Sequence, residues 1–171
     1  MNLENIDFYF AWPDAVEVQA NIEWTIPATH DVLFSGLIEA DATAYFYAIV
    51  SLDKKVWRTH YIGKVYAQSS SRRHRAADHI ARLQELQRNY PGRVFHLTLG
   101  TPRFDDGIEN PDELTIDKIE GLLIYSNWNE DMINKRKIDT FNCSRQISIE
   151  NTGFNQHLCK RSAYGVFYNA G

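Results

Sequence analysis

The residues of this chain that could do chemistry crowd into one stretch, HYIGKVYAQSSSRRHRAADHIARL, positions 60 to 83. Arg72, Arg73, Arg75 and Arg82, together with Lys64 and the histidines His60, His74 and His79, concentrate positive charge there. The protein as a whole carries a formal net charge of −4. Guanidinium groups at that density suit phosphate oxygens, whose geometry a planar fork of donors matches. Two tyrosines, Tyr47 and Tyr61, precede or open the stretch, and Glu120 follows it. Side chains of these kinds can bind a polyanion, hydrogen-bond through their hydroxyls and, for the carboxylate, hold a cation or a salt-bridge partner.

Taken singly, each also has a plain structural reading. Tyr47 and Tyr61 fit as ordinary sheet tyrosines, and an arginine-rich helix face fits as solvated surface. Glu120 shares a helical row with Ile116, Leu123 and Asn127, beside Ile119 and Leu122. A carboxylate bordering an apolar stripe must be compensated, and a salt bridge does that as well as a metal ion.

The elements that must position these groups can be read from periodicity. VEVQANIEW (16 to 24) alternates apolar and polar residues with period two, as a half-buried strand does. TAYFYAIVS (43 to 51) and KVWRTHYIGKVY (55 to 66) read as a hairpin closed by LDKK. Period two puts Tyr45, Tyr47 and Ile49 on one face, and Trp57, Thr59, Tyr61 and Gly63 on another, so that suitable pairing brings Tyr47 beside Tyr61. A helix follows, with Ser69, Ser70 and Ser71 as caps and Pro91-Gly92 as its stop. Its expected apolar row is Ala76, Ile80, Leu83 and Gln87, with Ala77 and Leu86 beside it; Arg72, Arg73, Arg82 and Arg88 supply a basic face. RVFHLTLG (93 to 100) reads as a third strand. A second helix runs through LTIDKIEGLLIYSNW, with Asn110 as N-cap, Pro111 at the first helical position and Glu113 closing a capping box. In the tail, RQISIEN reads as a short strand before an Asn-Thr-Gly turn.

With 171 residues, 44% of them hydrophobic, the chain suits one domain with a real core. No apolar run approaches 18 residues, so no membrane span is expected. The opening MNLENIDFYFAW has no basic segment ahead of an apolar one, and Cys143 and Cys159 form no CxxC pair. A reduced, cytoplasmic setting is the expectation. Charge is uneven: residues 1 to 53 hold nine acidic side chains and no Lys or Arg, while the remainder holds 18 basic against 13 acidic. One surface of the protein therefore suits a polyanion.

A tyrosine in a first strand, Tyr61-Ile62-Gly63 in a second, Arg-x-x-x-His on the next helix and a glutamate on a later one, followed by an asparagine, stand in the order of a known family. The chain resembles the GIY-YIG nuclease superfamily over residues 43 to 135. The second motif is intact; Tyr45-Phe46-Tyr47 stands in place of the first. The resemblance implies an α+β fold, a small antiparallel sheet of three central strands flanked by helices, with the active site on one sheet face. Residues 1–42 would be an acidic β-rich extension and 136–171 an elaboration packed on the core.

It further implies a metal-dependent endonuclease acting on DNA with a single Mg²⁺ or Mn²⁺ held by Glu120. Position by position, Tyr47, Tyr61, Arg75, His79 and Glu120 become catalytic, with Lys64 and Asn134 supporting. Arg72 competes with Arg75, and Asn127 and Asn129 with Asn134. Tyr47 is the preferred general base. A free tyrosine has a pKa of roughly 10, so Lys64 and the arginines would have to favour its phenolate. Arg72, Arg73, Arg82 and Arg88 would track the DNA backbone. A single site cuts one strand, so a double-strand break would call for a homodimer or two encounters. The alternative is a GIY-YIG-like module that binds nucleic acid or a partner protein without catalysis.

Overall fold

The computed structural model describes residues 16–29, 45–67, 73, 76–105, 111–138, 146–163 and, for the backbone, 166–168. Strands β1 (Val18–Trp24), β2 (Ala28–Thr29), β3 (Phe46–Asp53) and β4 (Val56–Lys64) come first, then helix α1 (Ala77–Asn89). Strand β5 (Phe95–Phe104), helix α2 (Glu113–Ser126) and strands β6 (Ile147–Gly153), β7 (Arg161–Ala163) and β8 (Val166–Tyr168) complete the order. All the strands join one sheet in the order β4-β3-β5-β1-β6-β7-β8, with β2 paired to β5. Every pairing is antiparallel except β1 with β6.

This overturns the expected small sheet of three central strands flanked by helices. The antiparallel trio β4-β3-β5 exists, but it is one end of an eight-stranded sheet that curls into a half-barrel and dominates the fold. The physical reason lies in β1. Its alternating Val18, Ala20, Ile22 and Trp24 are all buried, and its backbone is paired on both sides, to β5 and to β6. A strand with both edges bonded sits inside the sheet; it is not an extension of it.

The β3–β4 turn falls where LDKK places it, with Lys54 and Lys55 both at positive φ (48° and 72°), as a tight two-residue hairpin demands. Along the hairpin Ile49 faces Tyr61 but Val50 faces Thr59, so His60 is the extra residue of a β-bulge. The bulge breaks the expected common face. Thr59 turns with Trp57 towards the α2 side, where it donates to the His157 carbonyl, while Tyr61 and Gly63 face α1. Tyr45, just before β3, packs against Tyr66 and the α2-side core, away from Tyr47.

Helix α2 is capped by Asp112, whose side chain accepts from the Thr115 N–H at 2.7 Å. That corrects the expected cap at Asn110, which is outside the described residues. For α1 the serines 69 to 71 are also outside them; the described helix starts after Ala76 with no side-chain cap. Its buried residues are His79 and Leu86, with Leu83 half-buried, whereas Ile80 and Gln87 are exposed. The inward row is thus 79-83-86: Leu83 and Leu86 face in as expected, while His79 takes the place given to Ile80 and meets the Tyr47 ring. Helix α2 packs on one face of the sheet, its Ile116, Ile119, Leu122 and Leu123 meeting Phe46, Ala48, Ile62, Ile22 and Ile149. Helix α1 packs on the other, with Leu86 against Tyr47, Ile49, Leu97 and Leu99. Among the described residues no helix is long and apolar enough to cross a membrane.

Candidate active site

The Tyr-Ile-Gly tripeptide has a steric explanation. Tyr47 stands opposite Gly63 in the β3–β4 ladder, and its ring lies over the glycine. A Cβ at position 63 would come within 2.6 Å of both the Tyr47 Cζ and hydroxyl. Glycine is therefore what lets the two tyrosines approach, with ring centroids 5.8 Å apart. The His79 ring closes the group from α1, 5.4 Å from Tyr47. Tyr47, Tyr61 and His79 are brought together as the sequence suggested.

Two arginines reach this group. Arg73 holds Asp78 through both terminal nitrogens at 2.9 Å and lies against the Tyr47 hydroxyl. Arg82 bonds the same Asp78 at 2.9 Å and stacks its guanidinium over the Tyr61 ring, 4.7 Å from the centroid. The Arg73 hydrogen bonds hold the Asp78 carboxyl down at about 2. Arg72 and Arg75, the two rivals for the catalytic arginine, lie outside the described residues. Arg88 sits exposed in the last turn of α1.

Burial dominates the tyrosines' acidity. Tyr47 is fully buried, and desolvation, reinforced by Tyr61, pushes its phenol well above the ordinary value despite Arg73 and Arg82. Tyr61 is raised too, again mainly by burial, with Arg82 opposing. Lys64 does not serve either phenol: its ammonium lies 2.9 Å from Asp117 and 3.6 Å from Glu113. Burial works against the Lys64 charge, but these carboxylates outweigh it and its pKa is raised. The cations thus fall short of making Tyr47 a ready base.

Glu120 comes from the helix on the opposite sheet face, so the groups do not share one face. They meet around the outer edge of β4, the last strand of the sheet, in a cavity of about 510 Å³. Tyr61, Lys64, Arg82, Glu120 and Asn134 all line it. Five basic side chains (Lys64, Arg82, Lys135, Arg136 and Lys137) face three carboxylates (Glu85, Asp117 and Glu120) there. The balance is positive in an acidic protein. Glu120 is largely buried, and its Oε2 lies 2.9 Å from the Lys137 ammonium, which also donates to Asp117 at 2.9 Å. Burial pushes the Asp117 carboxyl up, yet hydrogen bonds from Lys64 and Lys137 more than offset it and hold it low.

The asparagines separate cleanly. Asn134 pairs with the backbone of Ile62, accepting from its N–H at 3.0 Å and donating to its carbonyl at 2.8 Å. It clamps the edge strand between Tyr61 and Gly63 the way a neighbouring strand would. Asn129 donates to the Thr59 carbonyl, and Ile133 N–H donates to that of His60, so residues 129–134 run along the β4 edge. Asn127 instead ties α2 to Cys159. His60, inside the bulge, donates from Nδ1 to the Asp131 carbonyl, which leaves Nε2 to accept from Ser51.

For a cation the donors on offer are the Glu120 and Asp117 carboxylates, one turn apart on α2. Among the described residues no group of three or more His, Cys, Asp or Glu is assembled as a metal cluster. Two hard oxygen ligands fit Mg²⁺, which keeps several waters and takes substrate oxygens. Asp117 and Lys137 were not singled out in the sequence. Their signals were available: Asp117 lies three residues before Glu120, and Lys137 ends a Lys-Arg-Lys run directly after Asn134. In comparisons with protein-family models, with characterised proteins and with solved structures, nothing matches this chain.

Proposed function

We propose that the chain is an endonuclease of the GIY-YIG kind in its chemistry, hydrolysing phosphodiester bonds of DNA with one divalent cation, Mg²⁺ or Mn²⁺, at Glu120. One observation carries this reading. Tyr61, Lys64, Arg82, Glu120 and Asn134, spread over more than 70 residues and all given a task by the GIY-YIG resemblance, line a single cation-rich cavity.

Each residue then has a task. Tyr61, the member of the tyrosine pair that lines the cavity, orients the attacking water. Tyr47, buried behind it, fixes the Tyr61 hydroxyl. Taking the water's proton requires the Tyr61 phenol to ionise. Arg82 over its ring favours that and burial opposes it, so the cleavage rate should climb with pH well into the alkaline range. Arg82 offers its planar fork to the phosphoryl oxygens, while Lys135 and Arg136 track the backbone on either side. Asn134 keeps Tyr61 in place through its hold on Ile62. When bound, the cation supplies charge neutralisation at the phosphoryl and leaving 3′ oxygens.

The test is cleavage of supercoiled plasmid with Mg²⁺ or Mn²⁺ by the wild type and by Glu120→Gln. Nicked or linear product that vanishes in the variant is the expected result. Linear product accumulating without a nicked intermediate would indicate a homodimer acting on both strands. Equal background from both proteins would sink the reading. A second reading, a nucleic-acid-binding or protein-interaction module without catalysis, is favoured by the Lys137–Glu120 ion pair and the deep burial of Tyr47. Intact plasmid, bound with an affinity that falls steeply with salt, would mark that outcome.

A further inference from the structure

We propose that Lys137 stands in for the divalent cation: its ammonium occupies the position between Asp117 and Glu120 that the cation takes, and Asp117 is the cation's second carboxylate. This rests on the nuclease reading above and adds two residues to its site.

The geometry of the ammonium is the first ground. It lies 2.9 Å from Glu120 Oε2, 2.9 Å from Asp117 Oδ1 and 2.9 Å from the Asp117 main-chain carbonyl. Three oxygens from one turn of α2 surround one positive centre, matching the three donors of an ammonium. Carboxylate and carbonyl oxygens are also the donors that Mg²⁺ and Mn²⁺ prefer. One position thus serves either cation, and the two compete for it.

The second ground is the backbone. Lys137 sits at φ 65°, in the left-handed region that a non-glycine residue occupies only at a cost. Its three contacts hold it there. On displacement the residue can relax to an ordinary conformation, which lowers the cost of losing those contacts. The third ground is Lys64, which reaches the same Asp117 Oδ1 at 2.9 Å. It stays when Lys137 leaves, so Asp117 is never without a cationic partner. The Lys137 side chain borders the cavity and is 26% exposed, which gives it a way out to solvent.

The experiment measures Mn²⁺ binding without DNA, by calorimetry and by the paramagnetic signal of free Mn²⁺. Wild type, Lys137→Met, Lys137→Arg, Asp117→Asn and Glu120→Gln are compared, with a thermal melt of each in chelator to verify folding. Lys137→Met should bind Mn²⁺ at least tenfold more tightly, since the competitor is gone. Lys137→Arg, which keeps the charge, should stay near the wild-type affinity. Asp117→Asn should weaken binding tenfold or more, and Glu120→Gln should abolish it. Unchanged or weaker binding by Lys137→Met, with Glu120-dependent binding in the wild type, overturns the proposal and leaves the nuclease reading standing. No Mn²⁺ binding by any of the proteins overturns both.

Discussion

The two faces of the sheet are built from different materials. On the α2 side, Ile22, Phe46, Ile62, Ile116, Ile119, Leu122, Leu123, Ile147 and Ile149 form a continuous aliphatic layer, nearly all of it sealed from water. On the α1 side the layer is smaller, and Tyr47, His79, His60 and the half-buried Tyr61 take up much of it. The first face is where apolar burial stabilises the fold. The second gives up some of that burial to hold hydroxyls, imidazoles and guanidiniums in fixed places. The proposed site lies where the apolar layer is thin, at the sheet edge that residues 129–134 border. Stability and function should therefore be separable by mutation.

The largest expected effect tests the aliphatic face. Ile119→Ala removes a fully buried side chain at its centre, and large-to-small changes of this type cost about 2–5 kcal/mol. Chemical denaturation should show that loss, while the cleavage rate expected under the proposed function stays, for the still-folded fraction, close to that of the wild type. A rate that falls in step with stability would break the comparison.

Next in size is an acid effect on the same face. His157 is buried with Trp24 and Phe154 around it, and both its ring nitrogens lack a hydrogen-bond partner among the described residues. Burial lowers its pKa from 6.5 to about 3. Below pH 6.5 the unfolded chain takes up a proton that the folded one refuses. The contribution of the neutral ring is therefore complete above pH 6.5 and is lost as pH falls towards 3, by up to about 1.4 kcal/mol per pH unit. Denaturation across that range should show the slope, and His157→Phe should flatten it. His60, also lowered by burial, leaves a residual slope of the same sign.

Much of this was legible in the sequence, and the failures are specific. Strands β1, β3, β4, β5 and β6 and both helices fall close to where period and punctuation put them. The architecture does not, because alternation in VEVQANIEW reveals a strand with one buried face but says nothing of its partners. Only pairing with residues more than 120 positions away makes β1 central. The bulge at His60 was equally hidden: one extra residue reverses every face assignment beyond it. Tyr47 and Tyr61 were found because period two places them on facing positions of one hairpin, whereas His79 was named only through the Arg-x-x-x-His pattern of the resemblance, the expected apolar row of its helix having passed it by. Lys137 was missed because it lies in a loop, where no periodicity marks a residue as facing a site.

Gly63→Ala comes third and probes the α1 face. The added methyl meets the Tyr47 ring at 2.6 Å, and overpacking of this type costs about 1–3 kcal/mol. The effect should be specific to its partner. In a Tyr47→Val background the ring is gone and the cost of Gly63→Ala should nearly disappear, a coupling that a double-mutant cycle reads directly. Additive effects would mean that the glycine serves something other than the tyrosine.

The smallest effect lies where the two faces meet. Ile62 points into the α2 layer while its neighbours Tyr61 and Gly63 point into the α1 layer, and Asn134 bonds the backbone between them. Asn134→Ala removes two hydrogen bonds from a strand edge that water can partly reach, so about 1–2 kcal/mol of stability is at stake. Hydrogen exchange at the Ile62 amide should quicken markedly, since that N–H loses its acceptor. Its consequences should be unequal. Ile62 is fully buried among aliphatic side chains that hold it independently of Asn134. Tyr61 rests on the edge strand, an arginine and one buried tyrosine. If the faces divide as argued, Asn134→Ala lowers the cleavage rate by more than its loss of stability accounts for, and Ile119→Ala does the reverse. Equal ratios of rate to stability in the two variants would show a single cooperative unit and remove the distinction.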